Sequence, residues 1–215
     1  MTVVLSNCKG YGSKESSIQE DILEKKAPEV VLLNETLFRG QKRINCKNYF
    51  SYCKNRDEDD TVSNSGGAGG GGVATLVSNH LRSSCVKVGE GREGDDYIIT
   101  RLDHVQPALN IVNVYGENEQ RAGSHRVLEA WIRLKGDLDD IQKKGEMILI
   151  LGDMNRNIGA DRWGVKGNSP HISKGGQLIR EQLLKTEEFT LLNGLELARG
   201  GPFTWVQPGK GEGRS

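Results

Sequence analysis

The sequence predicts an α/β fold, and three observations predict it. Short apolar runs rich in Val, Ile and Leu stop abruptly at polar residues. Two longer stretches carry apolar residues at helical spacing. Strands and helices are interleaved along one chain of 215 residues, with no obvious internal repeat.

Thr2 to Ser6 (TVVLS) is a β-branched run ending at Asn7, the pattern of a strand. From Ser13 the period becomes helical, with Ile18, Ile22 and Leu23 set between charged residues. Pro28 disfavours helix in the residue before it, so this helix should end near Ala27. Glu29 to Leu33 (EVVLL) reads as a second buried strand, again ending in polar residues, Asn34 and Glu35. Lys54 to Asp60 (KNRDEDD) is a charge run and Ser65 to Gly72 (SGGAGGGG) is of low complexity, so both are expected in a flexible surface loop. No glycine–lysine phosphate motif follows and no helix opens there, which argues against a nucleotide loop.

Val73 to Ser78, Cys85 to Val88, Tyr97 to Leu102 and Asn110 to Tyr115 are expected as strands in antiparallel succession. Ser124 to Lys144 is the longest helical stretch. Its Val127, Leu128, Trp131, Leu134, Leu138 and Ile141 recur every three or four residues. It leads into Met147–Leu151 (MILIL), a continuous apolar run read as a strand buried on both faces. Leu178 to Leu184 is expected as a short helix. Phe189 to Leu192, ending at Asn193, and Phe203 to Val206 are expected as further strands.

Composition bounds the function. An apolar content of 35% and a charged content of 27% fit a soluble globular chain, and a single domain spanning 1–215 is the simplest count. No run reaches transmembrane length, so no membrane partner is expected. The 29 basic residues balance the 29 acidic ones, so a polyanion would have to be met by a local patch or a bound metal. Cys8, Cys46, Cys53 and Cys85 have no paired spacing, and reduced thiols in a nuclear or cytoplasmic protein are expected.

Function is suggested where the strands stop. Three of them end in carboxylates or amides: Asn7, Glu35, and Asp153 with Asn155. The Asp153–Asn155 end alone reads equally well as a strand closed by an Asx turn, and any single terminal carboxylate as a solvated strand end. Together they form a set of oxygen ligands suited to a hard cation such as Mg²⁺, with Mn²⁺ as the alternative. Arg156, Arg162, Lys166 and Lys174 lie with Trp163 in the polar segment after Asn155. They are candidates for gripping a nucleic-acid backbone, and read equally as a solvated loop.

Asn7, Glu35 in LLNET, GGVATL, Tyr115 in NVYG, GDMN, Asn193 in LLNG and Thr204 in PFTW occur in that order. This series resembles the endonuclease/exonuclease/phosphatase superfamily, the deoxyribonuclease-I-like and apurinic-endonuclease-like enzymes. The run GDMNRNIG…WGVKGN…SKGGQLIREQL…GGPFTW is similar to the endonuclease domain of non-LTR retrotransposon-type proteins. The resemblance implies a four-layer sandwich of two mixed β-sheets flanked by helices. It also implies Mg²⁺-dependent hydrolysis of phosphodiester bonds in DNA, in a longer parent protein that carries a reverse-transcriptase domain. By it, Glu35 holds the metal with Asn7 close by. Asp153 orients or deprotonates water, and Asn155 holds that water or the phosphate. Tyr115 supports a phosphate oxygen and Asn193 adds a contact at the site floor.

In the family pattern a Ser-x-Leu/Ile-Asp strand and an Asp-His pair follow PFTW, whereas this chain ends at Ser215. His80, His104, His125 and His171 lie outside the motif positions. The resemblance therefore implies a domain lacking its final strands, with reduced activity, self-association through an exposed sheet edge or completion by another segment. The competing readings are a phosphatase or phosphodiesterase of the same superfamily, and an inactive remnant that serves as a binding module.

Overall fold

The computed structural model describes residues 1–56, 71–89, 96–116, 124–159, 171–185 and 189, and the backbone of 205–206 and 213–214. The chain divides into two compact units: Met1–Glu117 with His125–Met154, and Asn118–Ser124 with Asn155–Ser215.

The first unit contains two mixed four-stranded sheets. In one, β1 (Val3–Asn7), β2 (Val30–Asn34), β3 (Tyr49–Lys54) and β4 (Val73–Ser78) lie in the order β1-β2-β4-β3, with β1 and β2 parallel. In the other, β5 (Ser83–Val88), β6 (Asp96–Leu102), β7 (Leu109–Tyr115) and β8 (Met147–Asp153) lie in sequence order, with β7 and β8 parallel. The expected antiparallel succession of four strands is thus corrected. β5, β6 and β7 pair that way, whereas β4 lies between β2 and β3 in the other sheet.

Period-2 alternation explains why β2 is buried along its whole length. Val31 and Leu33 face outward, onto a cluster with Tyr11, Ile18 and Leu23. Ile18 and Leu23 belong to α1, which begins at Glu15–Ser17 and continues through Ile18–Glu24 in wider turns. Val30 and Leu32 face inward, onto Val77, Leu102 and Ile111, and so join the two sheets. On the outer side of the second sheet, α2 (Ser124–Lys143) buries Val127, Ala130, Trp131, Leu134, Leu138 and Ile141. The Tyr97 hydroxyl on β6 donates to Asp137 Oδ2 on α2 at 2.6 Å. Helix, sheet, sheet and helix are the four layers, and no helix among the described residues is long and apolar enough to cross a membrane.

Two strands depart from expectation. β8 is only half-buried, and among the described residues it stands last in the strand order of its sheet. β3 was not expected, since its YFSYCK sequence runs directly into the charged stretch. Its Tyr52 nevertheless packs inward against both sheets, with its hydroxyl donating to the Ser83 carbonyl at 3.2 Å.

In the second unit, Ser173 caps α3 (Lys174–Ile179), its Oγ accepting from the Gly176 N–H at 3.0 Å, and wider turns continue through Arg180–Leu184. Short β9 (Trp205–Val206) pairs antiparallel with β10 (Gly213–Arg214). Of the strand expected at Phe189–Leu192 all but Phe189, and the Phe203 and Thr204 part of the next, lie outside the described residues.

Candidate active site

β1 and β2 run parallel with Asn7 opposite Asn34, so their polar ends come out on the same side. In the second sheet the parallel pairing of β7 with β8 sets Tyr115 opposite Asp153. Gly152 allows that approach: its φ is +148°, and a Cβ there would lie 1.8 Å from the Val114 carbonyl oxygen. The polar ends of both sheets thereby converge.

The convergence is measured at Asn7. Its Nδ2 donates to Glu35 Oε1 at 3.0 Å and to Asp153 Oδ2 at 3.4 Å. Two carboxylates that are distant in sequence thus meet on one amide. Their mutual repulsion makes the location attractive to a cation. Glu35 has a φ of +54°, a strained conformation for a residue with a side chain. The strain is held in place by its surroundings. Cys8 Sγ contacts the Glu35 carbonyl at 3.4 Å, and the Gly10 N–H donates to that same oxygen at 2.7 Å. On the next residues, Thr36 and Leu37 donate their N–H groups to the carbonyls of Gly72 and Gly71 at 3.1 and 3.0 Å.

Asp96 anchors those glycines. It is 5% exposed, accepts from the Gly72 N–H at 2.7 Å, and has Lys54 Nζ at 3.4 Å and Arg56 Nε at 3.7 Å. The last two glycines of the low-complexity run are therefore built into the support of the Glu35 turn, unlike the free surface loop that composition suggests. Burial pushes the neighbouring Cys8 thiol up to about 11, so it stays protonated at neutral pH.

The donor set fits a hard divalent cation. Among the described residues no group of three or more His, Cys, Asp or Glu side chains is arranged for a metal. The two half-exposed carboxylates match the sparse oxygen set with which Mg²⁺ is bound, leaving positions for water and phosphate. Glu35 and Asp153 are the residues that would hold it. Asn7 presents its nitrogen to both carboxylates, while its Oδ1 accepts from the Lys9 N–H at 3.2 Å.

The other expected residues fall as follows. The Tyr115 ring packs with Val73 and Ile98 at the inner edge of the sheets. Asn155, Arg156 and Lys174 belong to the second unit. There Asn155 has a φ of +48°, Arg156 Nη1 donates to the Asn155 carbonyl at 3.1 Å, and Lys174 opens α3. Arg162, Lys166 and Asn193 lie outside the described residues. Sequence reasoning assigned no role to Asp96, Asn34 or Asn113. An Asn within the apolar run LNIVNVY was the available signal, because a polar group in a buried strand requires a partner.

Comparison with known proteins bears on the family and the fold. Residues 7–209 match the model of the Endonuclease/Exonuclease/phosphatase family. The fold is similar to the endonuclease domain of TRAS1, a telomere-specific non-LTR retrotransposon, with a TM-score of 0.51 and 12% identity over 85% of this chain and 69% of that one. It is similar to the AP endonuclease LMAP from Leishmania major, with a TM-score of 0.52 and 15% identity over 86% of this chain and 65% of that one. A functionally unknown conserved protein from Enterococcus faecalis aligns with a TM-score of 0.51 and 11% identity, over 84% of this chain and 72% of that one. No curated protein sequence matches at a significant level.

Proposed function

Because the chain belongs to the Endonuclease/Exonuclease/phosphatase family, we propose that it is a divalent-metal-dependent phosphodiester hydrolase that nicks DNA, the endonuclease domain of a non-LTR retrotransposon-type protein. The observation that carries this reading is the meeting of Glu35 Oε1 and Asp153 Oδ2 on Asn7 Nδ2.

A Mg²⁺ or Mn²⁺ ion, when bound, supplies electrophilic stabilisation of the phosphate's charge. The chain's own residues do the rest. Glu35 and Asp153 would hold that ion. Asp153 orients a water and accepts its proton, as a positioned carboxylate can. Asn7 donates to both carboxylates and keeps them facing each other. Tyr115 supports a phosphate oxygen, Asn193 adds a polar contact at the site floor, and Asn155 holds the water or the phosphate. Arg156, Arg162, Lys166 and Lys174 grip the DNA backbone by charge, which gives a neutral chain a local cationic surface.

The reading extends to a longer parent protein carrying a reverse-transcriptase domain, and to self-association of the isolated chain. The unpaired cysteines support a nuclear or cytoplasmic location.

Nicking of supercoiled plasmid tests the reading. The full chain should convert supercoiled to open-circular DNA in Mg²⁺ and not in EDTA. Equal conversion in EDTA, or none in either Mg²⁺ or Mn²⁺, contradicts it.

A further inference from the structure

Asn34 and Asn113 face each other between the two sheets, and both are fully buried. Asn34 ends β2 on its inward face. Its Nδ2 donates to Asn113 Oδ1 at 2.8 Å and to the Val114 carbonyl at 3.3 Å. Its Oδ1 accepts the backbone N–H of Asp153 at 3.1 Å. Asn113, in the middle of β7, donates in turn to the carbonyls of Ala74 at 2.9 Å and Leu33 at 3.4 Å. Two amides therefore tie together β2, β4, β7 and β8 at the end where the carboxylates converge.

This arrangement is costly unless complete. Burying an amide is unfavourable unless its donors and acceptor are used, and here both donors and the acceptor of Asn34 are engaged. A hydrophobic pair would join the sheets equally well, as Leu32 and Ile111 do nearby. What a hydrophobic pair lacks is direction. Asn34 immediately precedes Glu35 in sequence and grips the backbone of Asp153, so a single side chain relates both carboxylate-bearing residues. We infer that Asn34, held in orientation by Asn113, is a positioning residue that sets the Glu35–Asp153 spacing and with it the affinity of the pair for a divalent cation.

This rests on the proposed hydrolase reading, but its test does not require DNA cleavage. Residues behind metal ligands typically contribute about 10–100-fold to metal affinity or activity. Mn²⁺ affinity should be measured by calorimetry, together with Tm, for the full chain and for Asn34→Ala, Asn113→Asp and Leu102→Ala. Leu102 lies in the same intersheet core at the opposite end of β6 and serves as a matched loss of packing. Asn34→Ala should weaken Mn²⁺ about 10–100-fold. Leu102→Ala should lower Tm at least as much while leaving Mn²⁺ affinity within about twofold, and Asn113→Asp should lie between them.

Equal Mn²⁺ affinity for Asn34→Ala and Leu102→Ala at similar Tm overturns the inference and makes Asn34 ordinary core. If Asn34→Ala does not fold, amide hydrogen exchange of the wild-type chain decides the matter. The Asp153 N–H should be protected like the ladder amides of β7, and exchange at the rate of an exposed amide overturns the inference. A chain that binds Mn²⁺ in this pattern but cleaves no DNA would refute the nuclease reading and leave the positioning role standing.

Discussion

The side-chain amide of Asn7 donates to the Glu35 carboxylate across 3.0 Å, joining the end of β1 to the residue that follows β2. The same nitrogen reaches Asp153 at the end of β8, so one hydrogen-bond donor lies between two anionic groups contributed by both sheets.

Asp153→Asn preserves shape and the backbone bond to Asn34 while removing the proton acceptor. Single-turnover nicking at saturating Mg²⁺ should fall on the order of 10²-fold or more, the range of lost acid–base catalysis. Tm should be essentially unchanged. An unaltered rate would reduce Asp153 to a residue that closes a strand.

Asp96→Ala leaves Lys54 and Arg56 without their shared carboxylate and orphans the Gly72 N–H. Breaking a buried ion pair from one side costs about 3–5 kcal/mol, so chemical denaturation should show a loss in that range. Because Gly71 and Gly72 brace the Glu35 turn, Mg²⁺ affinity should fall with it. A loss below about 1 kcal/mol would assign the cluster to the surface, where ion pairs contribute little.

The support of the Glu35 turn shows which parts of this molecule are legible in the sequence. β2 was readable because EVVLL is a continuous apolar run whose two faces are both covered, and the sequence alone requires that. Met147–Leu151 is equally apolar, yet β8 is half-exposed, because how far a strand is covered depends on partners far along the chain. Strand ends bearing Asn7, Glu35 and Asp153 were visible for the same local reason. The Asn34–Asn113 pair was not, since its members are 79 residues apart and each alone looks like a polar punctuation of a strand. The structural use of Gly71 and Gly72 was hidden by composition, which says that glycines bend easily but not what they lie against.

Glu146 supplies a prediction about pH. Hydrogen bonds from Arg101 and Asn110 hold its carboxyl below the usual carboxylate range. A carboxylate depressed in the folded state stabilises above its unfolded pKa, and that contribution is lost as pH falls through the folded value. Stability measured from pH 7 downward should therefore start to fall near the ordinary carboxyl value of 4.5. Glu146→Gln should remove about 1 kcal/mol at pH 7, as for a typical net hydrogen bond, and flatten the acid limb. Identical acid limbs for the two proteins would contradict the assignment.

The most direct measurement is Mg²⁺ binding by calorimetry to the full chain and to Glu35→Gln, with Tm recorded for both. Glu35→Gln keeps the side-chain length and removes one of the two charges that meet at Asn7. The wild-type chain should bind Mg²⁺, and Glu35→Gln should bind it at least about tenfold more weakly, since even groups one step behind a ligand contribute about 10–100-fold. Tm should be equal or slightly higher once the repulsion with Asp153 is relieved. Equal Mg²⁺ affinity in the two folded proteins would contradict the assignment of this strand-end pair as the metal centre.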